Sequence, residues 1–196
     1  LTPNGWNGAV YQMFAHGIMT GMFFALVGLV YERAHSRHVP SMGGFAKTMP
    51  AVAVFFTLAG LSSLGLPGTA GFVAEMLVFI GAWQSAHSWW ALPGILGAFI
   101  TAVYVLRAVR QIFWGPGPSE KFHDLSDATK TEWGAPIVLA TCIVVFGCYP
   151  VLVLDFIVRA TPGYLAQARG APLAATKPPP SPVPPAFAFP GPGGAP

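Results

Sequence analysis

Glu75 is a carboxylate set inside a long apolar run, "LSSLGLPGTAGFVAEMLVF" over residues 61–79, which also holds a proline between glycines at "GLPG". An ionisable side chain at membrane depth is costly, and its default reading is proton or ion handling. Some distance upstream, "GAVYQMFAHGIMTGMFFALVG" places Gln12, His16 and Thr20 at four-residue spacing, a polar stripe on one helix face. Histidine changes charge near neutral pH and suits a proton relay. Each feature has a plainer reading. The break would serve as a packing kink, and His16 as a neutral side chain hydrogen-bonded to a neighbouring helix.

The break is best understood from the length of its segment. Residues 49–83 would make a continuous helix of about 52 Å, well over a hydrocarbon core of roughly 30 Å. Pro67 removes a donor and pushes Leu66 out of helical geometry, while Gly65, Gly68 and Gly71 remove rigidity. Two half-helices joined by an unwound "GLPGT" are therefore expected. Ser62, Ser63 and Thr69 would satisfy some of the freed backbone, and Glu75 would fall in about the first turn of the second half, where the positive helix end favours a carboxylate. Unwound backbone at that depth is tolerated only inside protein or beside a wet cavity, and discontinuous helices mark ion and substrate sites in transporters.

The surrounding chain is 54% hydrophobic and 9% charged over 196 residues, far below the roughly 25% charge of a soluble domain. Lipid is the expected solvent, and the short basic clusters form no face for nucleic acid. An all-α, polytopic bundle of about four transmembrane helices is predicted, at about 8–31, 49–83, 91–113 and 134–157. Trp6, Trp83, Trp89, Trp90, Trp114 and Trp133 fall near the proposed ends, at headgroup depth. Gly17 and Gly21 form a GxxxG step for close helix approach. Arg33, Arg37 and Lys47 accompany the first loop, and Arg107, Arg110, Lys121 and Lys130 the loop after the third segment. Arg159, Arg169 and Lys177 lie on the other side. That bias puts both loops in the cytoplasm and both ends outside.

The polar loop before the fourth segment offers Asp127 or Ser126 as a cap for a short helix leading into it. Residues 158–196, rich in Pro and Ala, are expected to be a disordered tail. His35, His38, His87 and His123 fall in loops and are expected to be solvated. Cys142 and Cys148 match no metal or redox spacing and are expected to be small core residues. The start at Leu1 lacks a methionine and a charged n-region, as expected of a fragment edge or a processed product. No dinucleotide fingerprint, phosphate loop, iron–sulfur cysteine cluster or nucleophile motif occurs. No catalytic centre and no metal site are expected.

At "AHGIMTGMFF", "YERAHSRHVPSMGGFAKTMP", "LGLPGTAGFVAEMLVF" and "FGCYP" the sequence resembles the antiporter-like M subunits of proton-translocating NADH:quinone oxidoreductase, respiratory complex I, whose mitochondrial counterpart is chain 4. The resemblance covers about residues 8–157. It implies the last four of about fourteen membrane helices, with the broken segment as the discontinuous helix of the second inverted repeat. It also implies that Glu75 and His16 are the proton-carrying positions. Related L and N subunits and multisubunit sodium/proton antiporters usually carry lysine where Glu75 stands, so the acid favours M. By the same resemblance, NADH, FMN, iron–sulfur clusters and quinone belong to partner subunits, with L- and N-type neighbours and the bilayer as surroundings. The location implied is a bacterial inner (plasma) membrane. The competing expectations are a monovalent cation/proton antiporter subunit and a structural membrane anchor.

Overall fold

The computed structural model describes residues 2–115, 117 and 122–168. Among them the regular structure is helical: α1 (Pro3–Ala34), α2 (Pro50–Ser63), α3 (Ala70–Trp83), α4 (Ala91–Phe113), α5 (Gly134–Cys148) and α6 (Val151–Ala168), with short 3-10 turns in the connections. α1 is the central helix, packed against α2, α3, α5 and α6, while α4 lies outside against α2 and α3. α1 starts where Thr2 accepts the Gly5 N–H ahead of Pro3, and it stops at His35 in the left-handed region. Its close approach to α3 runs over Gly8 and Gly81, where a Cβ would strike facing backbone, that of Gly5 in the case of Gly81. The Gly17–Gly21 step does not serve this purpose. Nothing lies within 4 Å of a Cβ at Gly17, and only a Leu139 methyl, at 4.0 Å, approaches Gly21.

The main apolar core gathers Met22, Leu26, Phe45, Met49, Val52, Phe113 and Ile143 towards the loop end of the bundle. Phe56 meets both Phe23 (5.1 Å) and Phe113 (5.0 Å). α1 and the Ser88–Phe113 stretch are each long and apolar enough to cross a membrane. On α4 a broad apolar face is exposed, including Leu92, Leu96, Phe99 and Val103, as expected of a helix whose solvent is lipid.

The second segment is broken over residues 64–69, with Gly65 and Gly68 at positive φ. The fourth is broken as well, which its apolar pattern alone did not announce. α5 and α6 meet at 63° across Tyr149–Pro150, because Pro150 has no N–H and Tyr149 before it leaves helical geometry (φ −123, ψ 62). α6 then continues through 158–168, residues assigned from sequence to the tail. Burial of Thr161 and Leu165 and the stacking of Tyr164 on Trp6 outweigh the local Pro and Gly signals. Arg169, Lys177 and the remaining tail, like Lys121, lie outside the described residues.

Two further expectations are corrected by tertiary contacts. Asp127 caps α2 rather than a helix leading into α5: its carboxylate accepts the N–H groups of Ala51 (2.8 Å) and Val52 (3.4 Å), just behind Pro50. Cys142 is half-buried and Cys148 exposed, so neither is a core residue. His35, His38, His87 and His123 are exposed.

Candidate functional site

The break sets the geometry. Leu64 and Leu66 both turn their N–H groups back to the Leu61 carbonyl, and Gly65 donates to Ser62 O. Thr69 closes the turn twice, with its N–H and its hydroxyl both on Leu66 O (3.0 and 2.8 Å). Pro67 sits at the apex, where its missing donor costs nothing further. α3 begins at Ala70, one residue after Thr69, so Glu75 falls on its second turn rather than its first. Gly71 lies directly against the Ser62 carbonyl, which brings the two half-helices side by side.

Glu75 reaches back across the break to Gly65, where any Cβ would overlap its carboxylate. Gly65 is thus required twice, for its φ of 65° and for the space the acid occupies. The carboxylate opens on a cavity of about 450 Å³ between α1, α2, α3 and α4. Gln12, His16 and Thr20 line it from α1, Ser62 and Ser63 from α2, and Gly71 and Glu75 from α3. Six polar residues singled out from sequence on three helices therefore face one space. Thr69 stays outside it and Gly68 meets open space, so both act on the backbone turn.

Two residues escaped the sequence reading. Thr101 and Tyr104 of α4 complete the wall. Their three-residue spacing inside a crossing helix was the available signal, yet hydroxyls in such helices commonly bond their own backbone. Thr101 does so, to Gly97 O at 3.0 Å. The cavity is equipped for water. Oε1 of Gln12 is buried with no partner among the described residues, and the side chains of Glu75 and His16 take part in no hydrogen bond there. Ser63 donates to Gly60 O at 2.7 Å, leaving acceptor capacity towards the cavity. A carboxylate, an imidazole, an amide and hydroxyls around a space that admits several waters can pass protons. Among the described residues no group of histidine, cysteine and carboxylate side chains is placed to hold a metal.

Charges at the loop end are handled differently. Arg33 donates to Glu132 (2.6 Å), to the Asp127 carbonyl (3.2 Å) and to Leu29 O (3.1 Å). The Thr129 N–H and hydroxyl both donate to Glu132 (2.6 and 2.8 Å). These bonds hold Glu132 down to about 2, the Thr129 N–H contributing most, then Arg33, then the Thr129 hydroxyl. They also tie the last turn of α1 to the loop before α5.

Comparison with known proteins places the chain in a family. Residues 1–101 match the family model described as NADH:quinone oxidoreductase/Mrp antiporter, TM. The chain is 38% identical over 155 residues to NADH-quinone oxidoreductase subunit M of Rhodobacter capsulatus, covering 78% of this chain and 30% of that relative. In solved structures it resembles a chain of respiratory complex I from Thermus thermophilus with bound NADH (TM-score 0.74, 30% identity, 82% of this chain and 34% of that one). The fold also matches a chain of the Mrp complex from a Dietzia species (TM-score 0.71, 20% identity, 82% of this chain and 38% of that one). The chain thus spans about a third of the length of the relatives it matches. With its broken apolar helix, its intramembrane acid and the matched family model over its first half, the chain belongs to the NADH:quinone oxidoreductase/Mrp antiporter transmembrane family.

Proposed function

We propose that the chain forms the last helices of an M-type (chain 4) subunit of NADH:quinone oxidoreductase and carries protons through the cavity beside the α2–α3 break. One observation carries this reading: Glu75 stands without a hydrogen-bond partner among the described residues, against Gly65 and open to a cavity that Gln12, His16, Thr20, Ser62 and Ser63 share. His16 passes a proton through cavity water to Glu75, and Glu75 releases it towards the outer side. Thr69, Pro67 and the glycines keep the backbone open at that depth. Each proton moved against 100 mV requires about 2.3 kcal/mol. This chain holds no source of that energy, so quinone reduction in other subunits drives the step, with NADH, FMN, iron–sulfur clusters and quinone bound there. L- and N-type subunits are the membrane neighbours.

Most of the basic residues lie in, or at the helix ends beside, the loop after α1 and the loop before α5, next to the Arg33–Glu132 pair. Both loops face the cytoplasm of a bacterial inner membrane, and both ends of the chain lie outside. A monovalent cation/proton antiporter subunit remains the second reading, favoured by the Mrp fold likeness. Higher identity to the quinone oxidoreductase relatives, and an acid at position 75, favour the first.

Glu75→Gln in the full-length protein, assembled with its partners in sealed vesicles, tests the proposal. NADH-driven quinone reduction and lumen acidification are expected to fall together, on the order of 10²-fold, the scale for losing a proton-transfer group. Near-normal values for both in an intact complex would leave Glu75 a packing residue. Sodium-dependent proton movement without NADH would select the antiporter instead.

A further inference from the structure

The two helix breaks touch each other. Pro150 cannot donate to the Phe146 carbonyl four residues before it. The Tyr11 hydroxyl of α1 donates to that carbonyl instead, at 2.6 Å. Tyr11 is fully buried in a cluster with Ala15, Ala70 and Ala74; it directly precedes Gln12 in α1, and Ala74 directly precedes Glu75 in α3. Phe14 reinforces the contact, its ring edge-on to Phe146 at 5.0 Å. One residue further along α5, Gly147 lies on the first break, where a Cβ would run into the Gly68 carbonyl and the Thr69 backbone. The Cys148 thiol points at the same Gly68 carbonyl, at 3.8 Å.

Resting on the proton-carrier reading above, we propose that Tyr11 and Gly147 are positioning residues for Glu75, clamping the elbow at Tyr149–Pro150 onto the α2–α3 break. The elbow leaves a carbonyl that Tyr11 must satisfy, which fixes α5 against α1. Gly147 then lets the end of α5 bear on Gly68 and Thr69, the N-terminal edge of α3. α3 is short, so a shift at Thr69 reaches Glu75 within two turns. A displacement of α6 about the elbow would be felt at the carboxylate by the same route.

Tyr11→Phe keeps the ring and removes only the donor. In the full-length protein assembled with its partners, three readouts apply: hydrogen exchange of the 64–71 amides, the infrared carboxyl band of Glu75 (assigned by its loss in Glu75→Gln), and coupled pumping. Tyr11→Phe is expected to speed the exchange, move the band and lower pumping several-fold at normal assembly. Gly147→Ala is expected to shift all three further, and if it fails to assemble, Tyr11→Phe decides alone. Wild-type exchange and an unmoved band in Tyr11→Phe overturn the clamp, even if Glu75→Gln abolishes pumping. If Glu75→Gln pumps normally while Tyr11→Phe still moves the band and the exchange, the clamp holds and the carrier reading falls.

Discussion

At the first turn of α2, Asp127 receives the Ala51 and Val52 N–H groups, and Arg33 binds Glu132 and the Asp127 carbonyl nearby. At the other end of the same helix, Glu75 faces water-sized space and Gly65, and takes no donor among the described residues. The contrast separates two uses of a carboxylate. Where carboxylates hold the loop end together, their lone pairs are filled, and at Glu132 the proton affinity is driven down. At Glu75 donors that would lock the charged form are absent among the described residues, and the helix break supplies room instead, as the proposed proton carrier requires. The loop end is a fastening, and the break is the working part of the proposed proton path.

The sharpest way to break the comparison is at Gly65. Gly65→Ala adds a Cβ into the space of the Glu75 carboxylate at a residue with φ of 65°. Strain of about 1–3 kcal/mol is expected from the backbone alone, and the acid must move. Pumping in vesicles should fall nearly as far as in Glu75→Gln. Gly68→Ala is the control, because its φ of 92° is at least as demanding while its Cβ would meet nothing within 4 Å. It should lose stability and keep more of its pumping. Equal losses from the two would show that the turn, not the room beside Glu75, is what matters.

At the loop end, removing the cap should affect stability and leave pumping almost intact. Asp127→Ala strips two α2 N–H groups of their acceptor. A loss of about 1 kcal/mol is expected, read as a lower unfolding temperature of the full-length protein, with pumping per assembled complex unchanged. A matching fall in pumping would erase the distinction between the two ends.

How much of this could be read from sequence follows the same division. The α2–α3 break was legible because proline and glycine act on their own backbone, whatever surrounds them. The stripe of Gln12, His16 and Thr20 was legible because helical spacing is local. What escaped depends on partners distant in the chain. Asp127 reads as a cap, yet the helix it serves is 76 residues away. The second break at Tyr149–Pro150 contains its proline in plain view, but the apolar run continues across it unbroken. Only the Tyr11 contact, spanning 135 residues, shows what the freed carbonyl is for. Thr101 and Tyr104 reached the cavity because α4 packs there; their three-residue spacing says only that they share a face, not what that face meets.

The smallest expected effect concerns pH at the fastening. Glu132 is held at about 2 against an ordinary 4.5, by the Thr129 N–H first, then Arg33 and the Thr129 hydroxyl. A carboxyl with a lowered folded-state pKa stabilises fully above its unfolded value, and that contribution fades as pH falls towards the folded one. The unfolding temperature of the full-length protein should therefore exceed that of Glu132→Gln by a constant margin above about pH 4.5, and the margin should narrow as pH drops towards about 2. It will be small, since solvent reaches this pair and screens it. Both proteins carry Glu75, so titration there cancels in the difference, and whatever pH dependence survives belongs to the loop end. A margin that stays flat down to acid pH would mean that Glu132 serves Thr129 and Arg33 as a neutral hydrogen-bond partner, and the filled-charge half of the comparison would have to be given up.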